Sequence, residues 1–439
     1  MPRCSTRTTP GRHAAMLFAA TATVVAAAGC SSSGTTAPGA GDLLVTISAP
    51  KGVTANVTVT GPAGYTKSLT ATATLTGLTS GSYTVSAAPA TTTDPIVATR
   101  YSATISGSPA TLSTSGAGAT VKATYAEQPG SGGLWIANGL SPATVVKYTA
   151  AQLAGAASTP ATTIKSGGSG SDVGIAFDAS GNLWVASNGN IVQYSAEQLK
   201  ASGTPTAAVT LTASGTSLDA PEGVAFDAGG NLWVTNSGNS TLVEFAASQL
   251  AASGSPTAAV TISAPGGAFT RPVGLAFDAA GDLWVANFTP NTVVEYTPAQ
   301  LAATGDPTPT ITLTGVAMSI SGPQLVAFDA TGNLWVANGE GLTVTTIEAF
   351  SPAQLATSGH PTPAIVLSSF TPSNVPAGLA FDASGDLWVS TINSLVEFTP
   401  SQIAATGAPT PAITITNSAL AGSYGVAFDP HPTGFPLQP

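Results

Sequence analysis

The stretch Pro272-Val-Gly-Leu-Ala-Phe-Asp278-Ala-Ala-Gly-Asp282-Leu-Trp284-Val-Ala-Asn287 decides the fold, because versions of it recur along the chain. Gly274 to Asp278 is a short apolar run ended by a carboxylate. Ala279 to Asp282 is a turn, in which Gly281 is free to take positive φ and Asp282 can bond its own backbone. Leu283 to Asn287 is a second apolar run, and Thr292-Val-Val-Glu-Tyr296 a third. Thr297-Pro-Ala-Gln300 then has the form of a capping box with proline at the first helical position. Gly305 is placed to end the helical turn, and Pro309 to Leu313 is again extended. One unit therefore predicts three strands, a short helix and an outer strand.

All six tryptophans stand in the same phrase, Leu-Trp-Val or Leu-Trp-Ile, at Trp135, Trp184, Trp233, Trp284, Trp335 and Trp388, in steps of 49, 49, 51, 51 and 53 residues. Such a period marks an internal repeat. Phe-Asp recurs with it, ending at Asp178, Asp227, Asp278, Asp329, Asp382 and Asp429. The first five Phe-Asp pairs precede a tryptophan. Phe428-Asp429 has no tryptophan after it, and Trp135 has no Phe-Asp before it. The end of the chain thus completes the unit left open at its start, so the repeats close into a ring.

The first two strands of each unit are apolar at nearly every position, which suits sheets covered on both faces by their neighbours. Four-stranded sheets repeated about an axis make a β-propeller. The expected fold is all-β: a six-bladed β-propeller with short helical insertions, its last strand, Gly425 to Asp429, lying beside Leu134 to Asn138. Each tryptophan is expected to pack between blades, where ~25 cal/mol per Å2 over ~200 Å2 gives about 5 kcal/mol as an upper bound. The Phe-Asp aspartates read as staples of the following turn, accepting from the backbone two or three residues on, rather than as a calcium array. The helix cue returns at Thr149, Ser195, Ser351 and Thr399, each followed three residues on by Gln. It weakens at Ala246, where a missing cap hydroxyl costs roughly 1 kcal/mol.

The N-terminus reads as a targeting segment. Arg3, Arg7 and Arg12 precede the apolar stretch Ala14 to Ala28, which is shorter than the ~20 residues needed to span a bilayer. Ala27-Ala-Gly-Cys30 resembles a bacterial lipobox, implying a lipoprotein signal peptide over 1–29 and lipidation of Cys30. Two or more acyl chains give stable membrane anchoring. Ser31 after the cysteine is compatible with export to an outer membrane. Losing the leader removes three of 11 basic residues and leaves eight against 21 acidic, a net charge of −13. Cys30 is then the lone cysteine, so no intrachain disulfide forms. With 7% charged residues and no Lys or Arg beyond Arg271, nucleic acid is disfavoured as a partner.

Residues 30–41 form a flexible tether, 42–126 an alternating Thr/Val β-segment, 127–133 a linker, 134–430 the repeats and 431–439 a tail. Leu75-Thr-Gly-Leu-Thr-Ser-Gly-Ser-Tyr83-Thr-Val resembles the strand–turn–strand signature of small transthyretin-like β-sandwiches, which implies a spacer domain.

The repeat, Pro-x-Gly-Val-Ala-Phe-Asp-x-x-Gly-Asn-Leu-Trp-Val-Ala-Asn, resembles the NHL repeat and the related propellers of the gluconolactonase and streptogramin-lyase group, over about Gly132 to Pro430. The resemblance implies a ligand mouth formed by the loops leading into strand one and out of strand two. Mapped onto this chain, the first set gives Asp172, Glu222, Val273, Gln324, Ala377 and Tyr424, and the second Asn138, Asn188, Asn236, Asn287, Asn338 and Asn393. The lactonase-type relatives hold a divalent metal with such residues. Asp172 and Glu222 with amide oxygens would suit a hard cation such as calcium; the alternative is that they are solvated loop acids and that the asparagines cap turns. The lyase-like reading needs a histidine, and His13, His360 and His431 all fall away from mouth positions. Nucleophilic triads lack a histidine for the same reason.

The expectation is therefore a monomeric envelope lipoprotein facing the periplasm or the cell exterior. It carries no catalytic residues and no required cofactor, and binds a protein or small-molecule ligand at the propeller mouth. The alternatives are a divalent-metal lactonase-type hydrolase at that mouth and a structural surface protein. An exposed aromatic or apolar patch, with Tyr424 and Phe288 as candidates, would mark a binding module.

Overall fold

The computed structural model describes residues 41–88, 90–91, 100–113, 115–127, 133–140, 142–156, 159–166, 172–187, 189–215, 217–263, 269–315, 320–339 and 345–429. The leader, Cys30, nearly all of the tether, the middle of the 127–133 linker, Asn188 and the 431–439 tail lie outside them. The described chain is all-β, with three short α-helices and a few 3-10 turns.

Before the repeats, two sheets share one core. The strands Leu43–Ser48 and Ala119–Glu127 pair in parallel at the centre of a five-stranded sheet, and Asn56–Thr60 pairs with Gly81–Ala88 in a four-stranded one. Gly81–Ala88 alternates between buried and exposed positions, as a strand covered on one face must. Val45, Val57, Val59, Tyr83, Val121 and Tyr125 pack together between the two sheets.

The repeats fold as six further four-stranded antiparallel sheets. In the Trp284 sheet the order is Pro272–Phe277, Leu283–Asn287, Thr292–Tyr296 and Ile311–Thr314. Ala276 faces Trp284 and Phe277 faces Leu283, and Trp284 in turn faces Glu295 on the third strand. The Trp135 sheet is assembled from both chain regions. Its inner strand is Ser423–Asp429, which pairs with Gly133–Asn138, with Trp135 opposite Ala427. Inner strands neighbour one another in sequence around the set, and the last, Ser423–Asp429, touches both Asp172–Phe177 and Pro376–Phe381. The architecture is that of a β-propeller.

Tryptophans join one sheet to the next. Trp135 packs on Phe177 with ring centroids 6.0 Å apart, Trp184 on Phe226 at 6.1 Å, Trp284 on Phe328 at 6.1 Å and Trp335 on Phe381 at 5.8 Å. Trp233 shares a cluster with Phe277, and Trp388 with Phe428. Each indole therefore covers the phenylalanine of the next Phe-Asp pair, and Trp388 reaches the strand supplied by the chain's end.

Around the axis the inner strands meet backbone to backbone. A Cβ added to Gly174, Gly223, Gly274, Gly378 or Gly425 would lie 2.1–2.5 Å from a carbonyl oxygen of the adjoining inner strand. Glycine at these five places thus has a steric cause, since a side chain there would strike the backbone of the adjoining strand. Leu325 takes this place in the Trp335 sheet.

The helix caps differ from expectation in one respect. Gln152, Gln198, Gln249, Gln300, Gln354 and Gln402 each accept the backbone N–H of the residue three before, at 2.8–3.0 Å, including that of Ala246. Each glutamine Nε2 also donates to a threonine carbonyl seven or eight residues on. The carboxamide carries the cap, so the hydroxyl missing at position 246 removes little.

Candidate functional site

The two ends of the inner strands differ in chemistry. At the Phe-Asp end the aspartates are spent on structure. Asp178 Oδ1 accepts from the N–H groups of Ser180 at 2.9 Å and Asn182 at 3.0 Å, while its Oδ2 accepts from Trp184 Nε1 at 3.0 Å. The same three bonds recur at Asp227, Asp278, Asp329 and Asp382, with indole distances of 3.2, 3.2, 2.9 and 3.1 Å. The backbone bonds reach two and four residues on, not two and three. The indole partner was not read from the sequence, because it depends on the hairpin folding the tryptophan back beside the turn. Asp429 stands opposite Gly133 and completes the same register in the Trp135 sheet.

A groove of about 830 Å3 lies at this end between the Trp233, Trp284 and Trp335 turns, lined by Asp227, Glu244, Phe277, Asp278, Leu301 and Asp329 among others. It is the larger concavity, yet the three aspartates that line it are already bonded to their own turns. A second hollow of about 480 Å3 includes Asp278, Asp282 and Glu295. Among the described residues no group of three His, Cys, Asp or Glu side chains is arranged to hold a metal ion.

The mouth is at the opposite end. Here a residue in the left-handed region precedes four inner strands: Ala220 (φ 48°), Arg271 (φ 58°), Gly322 (φ 56°) and Gly422 (φ 69°). Its carbonyl accepts the N–H of the residue leaving strand two, from Ser237 at 3.0 Å, Phe288 at 3.1 Å, Gly339 at 3.2 Å and Gly139 at 2.8 Å. These bonds tie the two mouth loops of each sheet together.

Several sequence assignments at the mouth are corrected by register. Asp172 pairs with Ser187 as Pro221 pairs with Asn236 and Pro272 with Asn287. Asp172 therefore stands one place before the ring position, which Val173 occupies. Glu222, Val273, Gln324, Ala377 and Tyr424 do come together with Val173 around the axis, but the space they enclose is about 20 Å3. That is room for about one water, which needs ~10–15 Å3 on this measure, and far too little for a substrate between these residues.

On the strand-two side, Asn138, Asn236, Asn287 and Asn338 are buried and turned inward. Asn236 accepts from Asp219 N at 3.1 Å and donates to Ser217 O at 3.2 Å and Thr241 Oγ1 at 3.1 Å. Asn138 donates to Ala419 O at 2.7 Å and accepts from Ser423 Oγ at 2.7 Å. Asn287 donates to Thr292 Oγ1 at 3.3 Å, and Asn338 accepts from Ser321 N at 3.2 Å. They fasten loops rather than line the mouth. Asn393 is exposed, and Thr391 holds the matching register in its sheet, so Asn393 was misplaced by two residues; Ser187 holds that register in the Trp184 sheet, and Asn188 lies outside the described residues.

What remains at the mouth is an off-axis cleft of about 290 Å3, lined by Val173, Gly189, Pro221, Glu222, Arg271 and Tyr424 with Ala220. Arg271 Nε lies 3.7 Å from Glu222 Oε1, and its guanidinium carbon lies 4.3 Å over the Phe288 ring. Phe288 is thus half-buried beneath the arginine. Arg271 is a site residue the sequence reading missed, although a basic residue in a slot that three other sheets fill with Ala220, Gly322 and Gly422 is a visible signal. Among the described residues, the large hydrophobic side chains that stand exposed are Leu140 at 56%, Ile392 at 37% and Tyr424 at 37%. They gather around Gly422, whose N–H donates to Ile392 O at 2.7 Å and whose Cα faces Leu140. His360, the single described histidine, sits on the outer strand side against Thr314.

One family model matches part of this architecture. Residues 218–245, which span the first three strands of the Trp233 sheet, match the NHL repeat. No curated protein matches the chain. Among solved structures, the chain is similar to a protein of unknown function from Bacteroides caccae, at 11% identity and a TM-score of 0.49, over 67% of this chain and 98% of that one. It is also similar to a chain of a nidogen/laminin complex, at 15% identity and a TM-score of 0.46, over 67% and 97%. A catalytically inactive virginiamycin B lyase from Staphylococcus aureus with quinupristin gives 15% identity and a TM-score of 0.41, over 58% and 73%. The chain carries an NHL repeat, set in a β-propeller of four-stranded sheets.

Proposed function

We propose that this protein is a non-catalytic binding module, a six-bladed propeller that receives a small molecule or a protein segment at its mouth. A small β-sandwich over 42–126 serves as its spacer, and a lipid on Cys30 holds the monomer to a bacterial envelope, facing the periplasm or the exterior. One observation carries the reading: the exposed large hydrophobics of the described chain cluster at one end, beside a cleft whose arginine guanidinium makes no hydrogen bond to a described residue. Exposed apolar side chains rimmed by polar groups mark an interaction surface. The groove at the opposite end has more volume, but Asp227, Asp278 and Asp329 in its lining are bonded to their own turns.

A thermal-shift screen of the full chain against small molecules and peptides tests this. Tyr424→Ala and Leu140→Ser should abolish the shifts that the wild type shows. Ala279→Trp, which fills the groove at the Phe-Asp end, should leave them unchanged. The reverse pattern would move the binding site to that groove.

A further inference from the structure

Four observations converge on Arg271. It is held at φ 58°, in a slot that other sheets fill with Ala220, Gly322 and Gly422. A bulky residue there carries backbone strain, and such strain points to a role in the site. Its guanidinium carbon lies 4.3 Å over the Phe288 ring, which restricts where the fork can move. Its one ionic partner among the described residues, Glu222, approaches Nε at 3.7 Å, and the two terminal nitrogens make no hydrogen bond to a described residue. The pair forms one wall of the 290 Å3 cleft, with the exposed Tyr424 ring also lining it.

We infer that this cleft binds the head group of a small zwitterion, of the α-amino-acid class, with an apolar side chain. The inference rests on the mouth reading above and names its ligand chemistry. A planar carboxylate matches the open arginine fork, which favours two parallel hydrogen bonds. An anion alone would draw Arg271 from Glu222 and strand the carboxylate; a cation alone would strand the arginine. A ligand carrying both charges on one carbon inserts between the partners, placing its carboxylate on Arg271 and its ammonium on Glu222. Charge balance in the half-buried cleft is then kept. The volume is at the small end of the ~300–1,000 Å3 typical of ligand sites, which fits a single residue. Tyr424 and Val173 offer apolar surface to its side chain. The protein's acidic balance and the isolation of Arg271 argue against a polyanion.

Isothermal titration of the full chain with L-phenylalanine and L-leucine, and with 3-phenylpropanoate and 2-phenylethylamine as single-charge analogues, tests the inference. Saturable binding of at least one amino acid is expected, with each analogue at least tenfold weaker. Arg271→Gly, which suits the left-handed slot and should melt no lower than wild type, should remove binding, and Glu222→Gln should weaken it at least tenfold. Arg271→Lys should retain part of it. Failure of both amino acids to bind, or equal binding of 3-phenylpropanoate, would overturn the inference. A different ligand lost in Tyr424→Ala but indifferent to Arg271→Gly would overturn it too, while leaving the mouth as the binding face.

Discussion

Trp335 Nε1 donates to Asp329 Oδ2 at 2.9 Å, joining the second strand of its sheet to the turn that precedes it. The same carboxylate holds the N–H groups of Thr331 at 2.9 Å and Asn333 at 3.0 Å. One side chain thus fixes the turn, the hairpin register and the rotamer of the indole that covers Phe381 of the next sheet. Trp135, in the sheet completed by the chain's end, keeps its place differently: its Nε1 has no hydrogen-bond partner among the described residues, and Lys147 Nζ lies 5.6 Å over its ring.

Asp329→Ala leaves a buried indole N–H and two backbone N–H groups without an acceptor. The expected loss is about 3 kcal/mol, read by urea unfolding. Burial alone would raise the Asp329 pKa, but the bonds from Trp335, Asn333 and Thr331 outweigh it and hold the carboxyl below its ordinary value. A depressed carboxylate pKa contributes stability above the unfolded value and loses it as pH falls through the folded one. The acid limb of the stability curve should therefore flatten in Asp329→Ala.

Other carboxyls shift the opposite way. Burial, followed by repulsion from Asp282 and Asp278, pushes Glu295 up to about 7, and burial with Asp386 and Asp382 pushes Glu397 up to about 7. Asp382 is raised to about 6, chiefly by burial, with Asp386 adding repulsion. In the window from about 4.5 to 7 the folded protein therefore holds protons that the unfolded chain has released, so stability falls as pH rises through it. The melting temperature should be higher at pH 5 than at pH 8 by about 5 °C. In a Glu295→Gln, Glu397→Gln double variant most of that difference should disappear. Equal slopes in variant and wild type would contradict this assignment.

Glu348 occupies a third-strand place held elsewhere by Val146, Val192, Val243, Val294 and Val396. It is buried, and burial pushes its pKa up to about 8 despite bonds involving Asn338 and Thr346. Glu348→Val should stabilise the protein by about 1–2 kcal/mol at pH 9, where the carboxyl is ionised. The gain should shrink below pH 6, where wild type keeps the proton.

A methyl group at Gly274 would stand 2.4 Å from Gln324 O and 2.7 Å from Leu325 Cα, both backbone atoms that cannot swing aside. Gly274→Ala should cost about 3 kcal/mol or more by chemical denaturation. Ala substitution at Gly305, which meets nothing within 4 Å, should cost far less.

The ring was legible because Trp and Phe-Asp recur with their mismatch at the two chain ends, and the sterics of Gly274 were implicit in the same phrase. The mouth was less legible, since its loops vary in length and counting from the tryptophan does not fix register there. Asp172 and Val173 exchange places once Ser187 is seen to pair with Asp172. Thr391, not Asn393, takes the slot in which Asn236 and Asn287 fasten loops. Arg271 escaped notice because its importance comes from left-handed backbone and from Phe288 beneath it, neither of which composition reveals.

The central claim, a binding mouth rather than a metal hydrolase, turns on Glu222. Register leaves it the one carboxylate among the described side chains of the axial ring, and Arg271 is its partner. The decisive measurement is a thermal-shift titration of the chelator-treated protein with Ca2+, Mg2+, Mn2+ and Zn2+, beside Glu222→Gln. A flat response in both proteins is expected. A saturable rise with one metal that vanishes in Glu222→Gln would contradict the account and assign the mouth to metal-dependent chemistry.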